Sequence, residues 1–273
     1  MSVIKRNNIA LTGRGAEVMM FVHGLGCDQN MWRFVTPAFA ERYRILLLDL
    51  VGAGGSDLSA YSRVKYGTLQ GYADDVLEIC RELDLSRVIF VGHSVSAMIG
   101  VLAANKRPDL FSRLVLVGPS PRDVNDGDYI GGFQASEIEE ILDGMEDNYL
   151  GWSSHMAPVI MGNPQRPELG EELTNSFCRT DPAIARHFAR VTFLSDNRRD
   201  LPQVKVRSLV MQCARDPIAP VTVGEYTHRH MPDSELLLMK ATGHCPNLSA
   251  PRETIAGIEA FLARETRISP SSA

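Results

Sequence analysis

Val88-Ile89-Phe90-Val91-Gly92-His93-Ser94-Val95-Ser96-Ala97-Met98-Ile99-Gly100 changes character at its middle. The first four residues are apolar and mostly β-branched, the pattern of a strand buried on both faces. From Ala97 to Asn105 the residues are small and apolar, as in a helix buried against a sheet. Between them lies a strand, sharp turn, helix context with a serine at its apex. Such a turn strains the backbone and leaves no room for a side chain beside the serine, which explains Gly92. Ser96 stands where a second glycine is usual and is small enough for the helix to pack on the strand. The plain alternative makes Ser94 a helix N-cap, a common role for serine. Its partners elsewhere in the chain decide between the two.

Working outward, short apolar runs occur at 18–22, 45–48, 88–91, 114–117 and 209–211. They alternate with helical patterns, which predicts a parallel sheet built from βαβ units. Residues 69–83 carry Tyr72, Val76, Ile79, Cys80 and Leu83 at helical spacing. A weak alternation over 3–11 predicts an edge hairpin strand. After Gly118 the βα alternation stops until Leu209. That interval reads as helical: Ser136 with Glu139 resembles a capping pair, Asp181-Pro182 a cap followed by proline at the first helical position, and further helices are expected over 152–161 and 167–179. Helices inserted there form a lid over the strand ends where open α/β sheets bind ligands. A helix at 221–230, a strand at 235–239 and a helix at 251–264 complete the expected core. The predicted organisation is a core of residues 1–120 and 201–267, a lid of 121–200 and a flexible tail of 268–273.

A serine hydroxyl is a weak nucleophile unless a base lies within hydrogen-bond reach, a third group orients that base, and donors await the oxyanion. Each role has a candidate beyond a strand end. Asp216 follows the run ending at Met211, and His244 follows the strand expected at 235–239. Taken singly, Asp216 reads as a turn former and Gly243-His244 as a solvated loop. The order Ser94, Asp216, His244 is that of α/β-hydrolases, so the expected fold is the α/β-hydrolase fold, a mostly parallel sheet flanked by helices. His23-Gly24-Leu25-Gly26 follows the first strand run, where this fold draws an oxyanion donor. The backbone N–H groups of Leu25 and Val95 are the expected pair.

Other chemistries lack their signatures. No G-x-x-x-x-G-K-[ST] and no G-x-G-x-x-G before a helix is present, and the glycine-rich turn 49–56 reads as structural. None of the 7 histidines forms H-E-x-x-H, so neither a metal nor a cofactor is expected. The 28 Lys and Arg stand against 33 Asp and Glu, with no basic strip to follow a phosphate backbone, so nucleic acid is not an expected partner. No apolar run is long enough to span a bilayer, and the N-terminus is too polar for a signal peptide. The 5 cysteines are odd in number and contain no C-x-x-C pair, which fits a reducing cytoplasm.

Several segments carry a more specific likeness: 24–29, 92–100, Ser120-Pro121-Arg122 with Asn125-Asp126 and Gly131-Gly132-Phe133, and Gly243-His244-Cys245-Pro246. Together they resemble the RsbQ-like regulators of a bacterial stress sigma factor, and are similar to the plant strigolactone and karrikin receptors. The resemblance implies the same triad, Ser94, Asp216 and His244, and a four-helix lid over an apolar pocket. It implies that Leu25, Phe133, Met156, Phe177 and Phe193 line that pocket. It also implies a small hydrophobic ester or lactone as ligand and a regulatory phosphatase as partner. Two functions are therefore expected from these residues: hydrolysis through an acyl-serine intermediate, or ligand sensing read by a protein partner. An aspartate nucleophile is excluded, because the turn carries Ser94.

Overall fold

A computed structural model describes residues 2–264. The strand runs pair into one sheet of β1 (Ala10–Gly13), β2 (Val18–Val22), β3 (Arg44–Leu48), β4 (Val88–His93), β5 (Phe111–Val117), β6 (Ser208–Arg215) and β7 (Ser234–Thr242). Their spatial order is β1-β3-β2-β4-β5-β6-β7, with β1 antiparallel to β3 and every other pair parallel. All five residues of β2 and all six of β4 are buried, as expected of central strands covered by helices on both faces.

The winding positions the site. From β2 the chain moves outward to β3, then crosses back to lay β4 on the other side of β2. Loops leaving β2 and β4 therefore diverge and open a crevice at their carboxyl ends. Register brings those ends level: Val22 pairs with Gly92, Gly92 with Leu116, and Leu116 with Val210. At the β6 end the pairing with β7 shifts between Cys213 and Arg215, and Asp216 follows directly. Such irregularities re-aim the residues that come after them.

Ten helices are described: α1 (Val3–Arg6), α2 (Leu69–Glu82), α3 (Val95–Lys106), α4 (Ala135–Asp147), α5 (Tyr149–Met161), α6 (Pro167–Cys178), α7 (Pro182–Phe193), α8 (Val221–His230), α9 (Pro246–Ser249) and α10 (Pro251–Leu262). Val95 through Ala104 are buried without interruption, so α3 is wrapped on all sides, which its small apolar composition permits. Helices α4 to α7 lie between β5 and β6 in the chain. They share a small apolar core in which Ile138, Leu142, Met145 and Tyr149 meet Ala185, Ala189 and Phe193.

Two local expectations are corrected. The edge strand expected over 3–11 is a one-turn helix, α1, followed by the short β1. Ser2 Oγ accepts from the Ile4 N–H, and the helical i, i+3 spacing turns Val3 into the core and Arg6 toward Asp75 and Glu78 of α2. Helix α4 starts before Ser136: the N-cap is Gln134, whose N–H donates to the Glu137 carboxylate at 2.6 Å. Gln134 has extended backbone angles, so the residue three places on is Glu137 rather than Glu139. Asp181 does cap α7, accepting from the N–H groups of Ala183 and Ile184. The tail expected to be flexible, 268–273, lies outside the described residues. No helix among the described residues is long and apolar enough to cross a membrane.

Candidate active site

Gly92 and Ser94 form the turn at the end of β4. A Cβ on Gly92 would stand 2.5 Å from the Ser96 carbonyl oxygen and 2.7 Å from the Phe90 ring. Only glycine permits that approach. Ser94 itself adopts φ 57° and ψ −124°, a conformation that costs a non-glycine residue ~1–3 kcal/mol. It occupies the N-cap position of α3, yet its hydroxyl makes no capping bond to the helix. The hydroxyl lies instead 2.8 Å from His244 Nε2. Its backbone N–H donates to the Val117 carbonyl of β5 at 2.8 Å, which clamps the turn to the neighbouring strand.

His244 Nδ1 lies 2.8 Å from Asp216 Oδ2, and Asp216 Oδ1 accepts from the N–H groups of Ile218 (2.8 Å) and Ala219 (3.1 Å). The carboxylate is thereby oriented before it meets the imidazole. Burial alone would lower the His244 pKa, but the charge and hydrogen bond of Asp216, with the charge of Asp123, outweigh it and hold the group above its ordinary value. An imidazole so held favours the Nδ1–H tautomer, which leaves Nε2 as an acceptor facing Ser94. This geometry can take a proton from a hydroxyl and return it to a leaving group.

The helical insertion also holds His244. The His244 N–H donates to the Ile160 carbonyl at 2.9 Å, and Gly243 adopts φ +82° with its would-be Cβ only 1.8 Å from the Met161 carbonyl oxygen. His93 Nε2 donates to the His244 carbonyl at 2.7 Å; burial first, then the neighbouring His244, drives His93 down to about 3, so it stays neutral. Gly243→Ala is expected to destabilise the fold by ~1–3 kcal/mol from the positive φ alone. By shifting His244 it is also expected to lower kcat by about 100-fold. Denaturant unfolding and ester kinetics on the same preparation check both; unchanged kcat would show that the α5 contact does not position the base.

Ser96 does more than fit. Its hydroxyl donates to the His23 carbonyl, tying the β4 turn to the loop after β2. In that loop the buried His23 ring accepts from the Leu50 N–H at Nε2 and lies 2.8 Å from the Gly24 carbonyl at Nδ1, so Nδ1 is the donor. Among the described residues neither the Leu25 N–H nor the Val95 N–H donates to another group. Both stand beside Ser94, in the turn and the loop that Ser96 links. The glycine-rich turn at 52–55 has a structural account: Asp49 accepts from the N–H groups of Gln29 and Gly55 and from the Asn8 amide.

The cavity over Ser94 holds about 660 Å³ of space between its atoms, part of it open to solvent. Leu25, Met98, Ile160, Leu173, Phe177 and Phe193 supply its apolar wall. Leu25 packs against all three apolar cores of the molecule, joining the sheet to the insertion. Of the five residues that the resemblance placed in the wall, Phe133 and Met156 lie outside it. Phe133 sits one layer behind, edge-on to Phe193 with ring centroids 6.4 Å apart. Met156 precedes Ile160 by one turn of α5, a displacement of about 6 Å along the axis. Cys27 and Cys245 also face the cavity; burial pushes the Cys27 thiol up to about 12 and holds Cys245 well above its ordinary value, so neither is a thiolate. Sequence reasoning missed three polar members of the wall, Asp123, Thr192 and Ser195, which no motif marks.

A sheet that switches direction beside a strained serine, with aspartate and then histidine delivered from the ends of β6 and β7, defines an α/β-hydrolase. The chain belongs to the Alpha/beta hydrolase family, whose profile matches residues 19–257. It is similar to the strigolactone esterase D14 of Arabidopsis thaliana, 39% identical over 92% of this chain and 94% of that protein. It is also similar to the karrikin insensitive 2 receptor CA of Petunia hybrida, 37% identical over 91% of this chain and 93% of that one. Among solved structures, a hydrolase from Oleispira antarctica superposes with a TM-score of 0.94 at 40% identity, covering 97% of each chain. The likeness to the plant receptors expected from the sequence thus extends over 91–92% of the chain.

Proposed function

We propose that this chain hydrolyses a small hydrophobic ester or lactone through an acyl-Ser94 intermediate. In the first half, Ser94 Oγ attacks the carbonyl carbon while His244 Nε2 takes its proton. The developing oxyanion lies between the Leu25 and Val95 N–H groups. Collapse breaks the bond to the alkoxy group, which leaves with the proton held by His244. In the second half, water attacks the acyl carbon, gives its proton to His244, and Ser94 is released with that proton. Asp216 keeps the imidazole in the useful tautomer and stabilises its charged form. The observation that carries this reading is the continuous chain from Ser94 Oγ through His244 to Asp216, both links 2.8 Å, at the floor of an apolar cavity. The test is labelling with a fluorophosphonate probe. The wild-type protein is expected to be labelled at Ser94, and labelling that persists in Ser94→Ala would sink the proposal.

The pH dependence has a defined sign. Only neutral imidazole accepts the Ser94 proton, so kcat/KM falls as pH drops. The held-up His244 places the midpoint of that acid limb above the ordinary histidine value of ~6.5. A pH–rate profile checks it, and a midpoint below the ordinary value contradicts the assignment of His244 as base.

A second reading keeps the same site and makes ligand capture the output: a regulator whose insertion is read by a partner protein. It is supported by the Petunia relative being named a receptor, and by Ile130, Leu150, Val159 and Leu194 standing exposed on or beside the insertion helices. The phosphatase expected as partner rests on the resemblance to RsbQ-like regulators alone. Pre-steady-state kinetics separate the readings: one stoichiometric burst followed by slow release marks the regulator, and steady multiple turnover marks the enzyme.

A further inference from the structure

Asp123 is 5% exposed and faces the cavity that holds Ser94 and His244. A buried carboxyl that joins no ion pair is costly, so it needs an account. Its loop does not supply one. The turn that closes at Phe133 is held by Asn125, whose Oδ1 accepts from the Gly131 and Gly132 N–H groups at 2.8 and 3.1 Å. Asp123 contributes only its backbone carbonyl, which accepts from the Phe133 N–H at 3.1 Å. The nearby cations are taken: Arg122 pairs with Asp196 at 3.0 Å, and Arg198 with Asp126 and Asp196 at 2.6 and 2.7 Å. Among the described residues Asp123 joins no ion pair.

Two further polar groups of the wall, Thr192 and Ser195, are satisfied internally, whereas His93 Nδ1 has no partner among the described residues. Thr192 Oγ1 donates to the Phe188 carbonyl, and Ser195 Oγ donates to the Thr192 carbonyl. Ser120 lies beside the Asp123 carboxyl, and its buried hydroxyl makes no hydrogen bond of normal geometry among the described residues. Asp123 and Ser120 thus form a polar corner of a largely apolar cavity, apart from the Ser94 and His244 side chains.

We propose that Asp123, with Ser120, is a recognition site for a hydroxyl group on the substrate, so that the preferred ligand is a hydroxylated ester or lactone. This rests on the hydrolase reading above and narrows its substrate class. Burial pushes the Asp123 carboxyl up to about 7, while the Ser120 hydroxyl and the charge of His244 pull it down and Asp216 pushes it up. Ionised or neutral, the carboxyl retains an acceptor oxygen for a hydroxyl donor. A ligand ammonium fits less well, because His244 becomes a cation beside it in each half-reaction.

Matched substrates test this: p-nitrophenyl esters with a hydroxyl on the second or third acyl carbon against their methyl isosteres, and a hydroxylated γ-lactone against its methyl analogue. The wild-type protein is expected to prefer a hydroxylated member by about 10- to 100-fold in kcat/KM, the range of a hydrogen bond to a charged group. Asp123→Leu is expected to bring that ratio to about one, and Asp123→Asn, which keeps an acceptor oxygen, to retain part of it. A purely electrostatic effect of Asp123 on His244 moves both members of a pair alike and leaves the ratio unchanged. Calorimetric binding of the lactone pair to Ser94→Ala makes the same comparison without turnover. Failure of hydrolysis therefore counts against the hydrolase reading, and equal binding of the pair counts against the Asp123 assignment. The thermal midpoint of both variants is expected to hold or rise, since a buried carboxyl that joins no ion pair is removed. A fall in that midpoint with an unchanged substrate ratio marks Asp123 as structural and overturns the proposal, as does a wild-type ratio near one for every pair.

Discussion

Ser94→Ala is expected to lower kcat/KM on a short p-nitrophenyl ester by about 10⁵- to 10⁶-fold while leaving the fold intact. The magnitude follows from what the hydroxyl does. It stands 2.8 Å from His244 Nε2 and makes no bond to the helix it precedes, so its loss removes the proposed nucleophile and nothing structural. Alanine keeps the Cβ at φ 57°, and the anchoring bond from the residue 94 N–H to Val117 is a backbone bond that survives. The thermal midpoint should therefore match the wild type. Residual catalysis above water is expected, because the Leu25 and Val95 N–H groups and the cavity remain; removing a triad member leaves ~10³- to 10⁴-fold from such sources. A variant that loses less than tenfold would show that the ester is cleaved elsewhere.

Asp216→Asn is expected to reduce kcat by about 10⁴-fold with little change in structure. The reason lies in how the carboxylate is held. The Ile218 and Ala219 N–H groups both donate to Oδ1, so an asparagine must place its carbonyl oxygen there. Its NH2 group is then forced toward His244 Nδ1. The imidazole responds by carrying its proton on Nε2, facing Ser94 as a donor, and can no longer accept the serine proton. Loss of the aspartate charge also releases the upward hold on His244, so the remaining activity should show an acid limb shifted to lower pH. Full activity in this variant would falsify the role given to Asp216. Because the two backbone donors keep their acceptor, the unfolding midpoint is expected to stay within a few degrees.

Much of the fold is legible because its signals are local. A strand buried on both faces must be a short apolar run, and β2 and β4 have that pattern. The helix after Ser94 must be small on every side, and α3 is. The insertion is visible as a break in alternation, and Asp181-Pro182 marks a helix start by its own chemistry. Where local signals compete, tertiary contacts decide. Residues 3–6 can be read as extended, but Arg6 finds Asp75 and Glu78 across a helical turn. The start of α4 depends on backbone angles at Gln134 that no residue type dictates.

The candidate site divides in the same way. Ser94, Asp216 and His244 are readable from sequence because each must follow a strand and their order is set by the winding of the sheet. Their distances are not readable. The 2.8 Å links arise from register between strands, from the shift at the end of β6, and from the hold of α5 on His244. Ser96 looked like a tolerated substitution, and only the folded chain shows its hydroxyl joining two loops. Phe133 and Met156 were placed in the cavity wall by likeness, but a wall is fixed by which side chain comes first from each helix, and Phe193 and Ile160 come first. Asp123 shows the limit most plainly. In the sequence it is one of several acids in a polar loop. Its neighbours spend their charge on one another, and tertiary structure alone turns the remaining carboxyl inward beside His244. By itself, then, the sequence marked the strand ends and placed the candidates Ser94, Asp216 and His244 there, because those are properties of residues at strand ends. The tertiary structure decided which groups face the ligand, because burial and the pairing of charges depend on residues far apart in the chain.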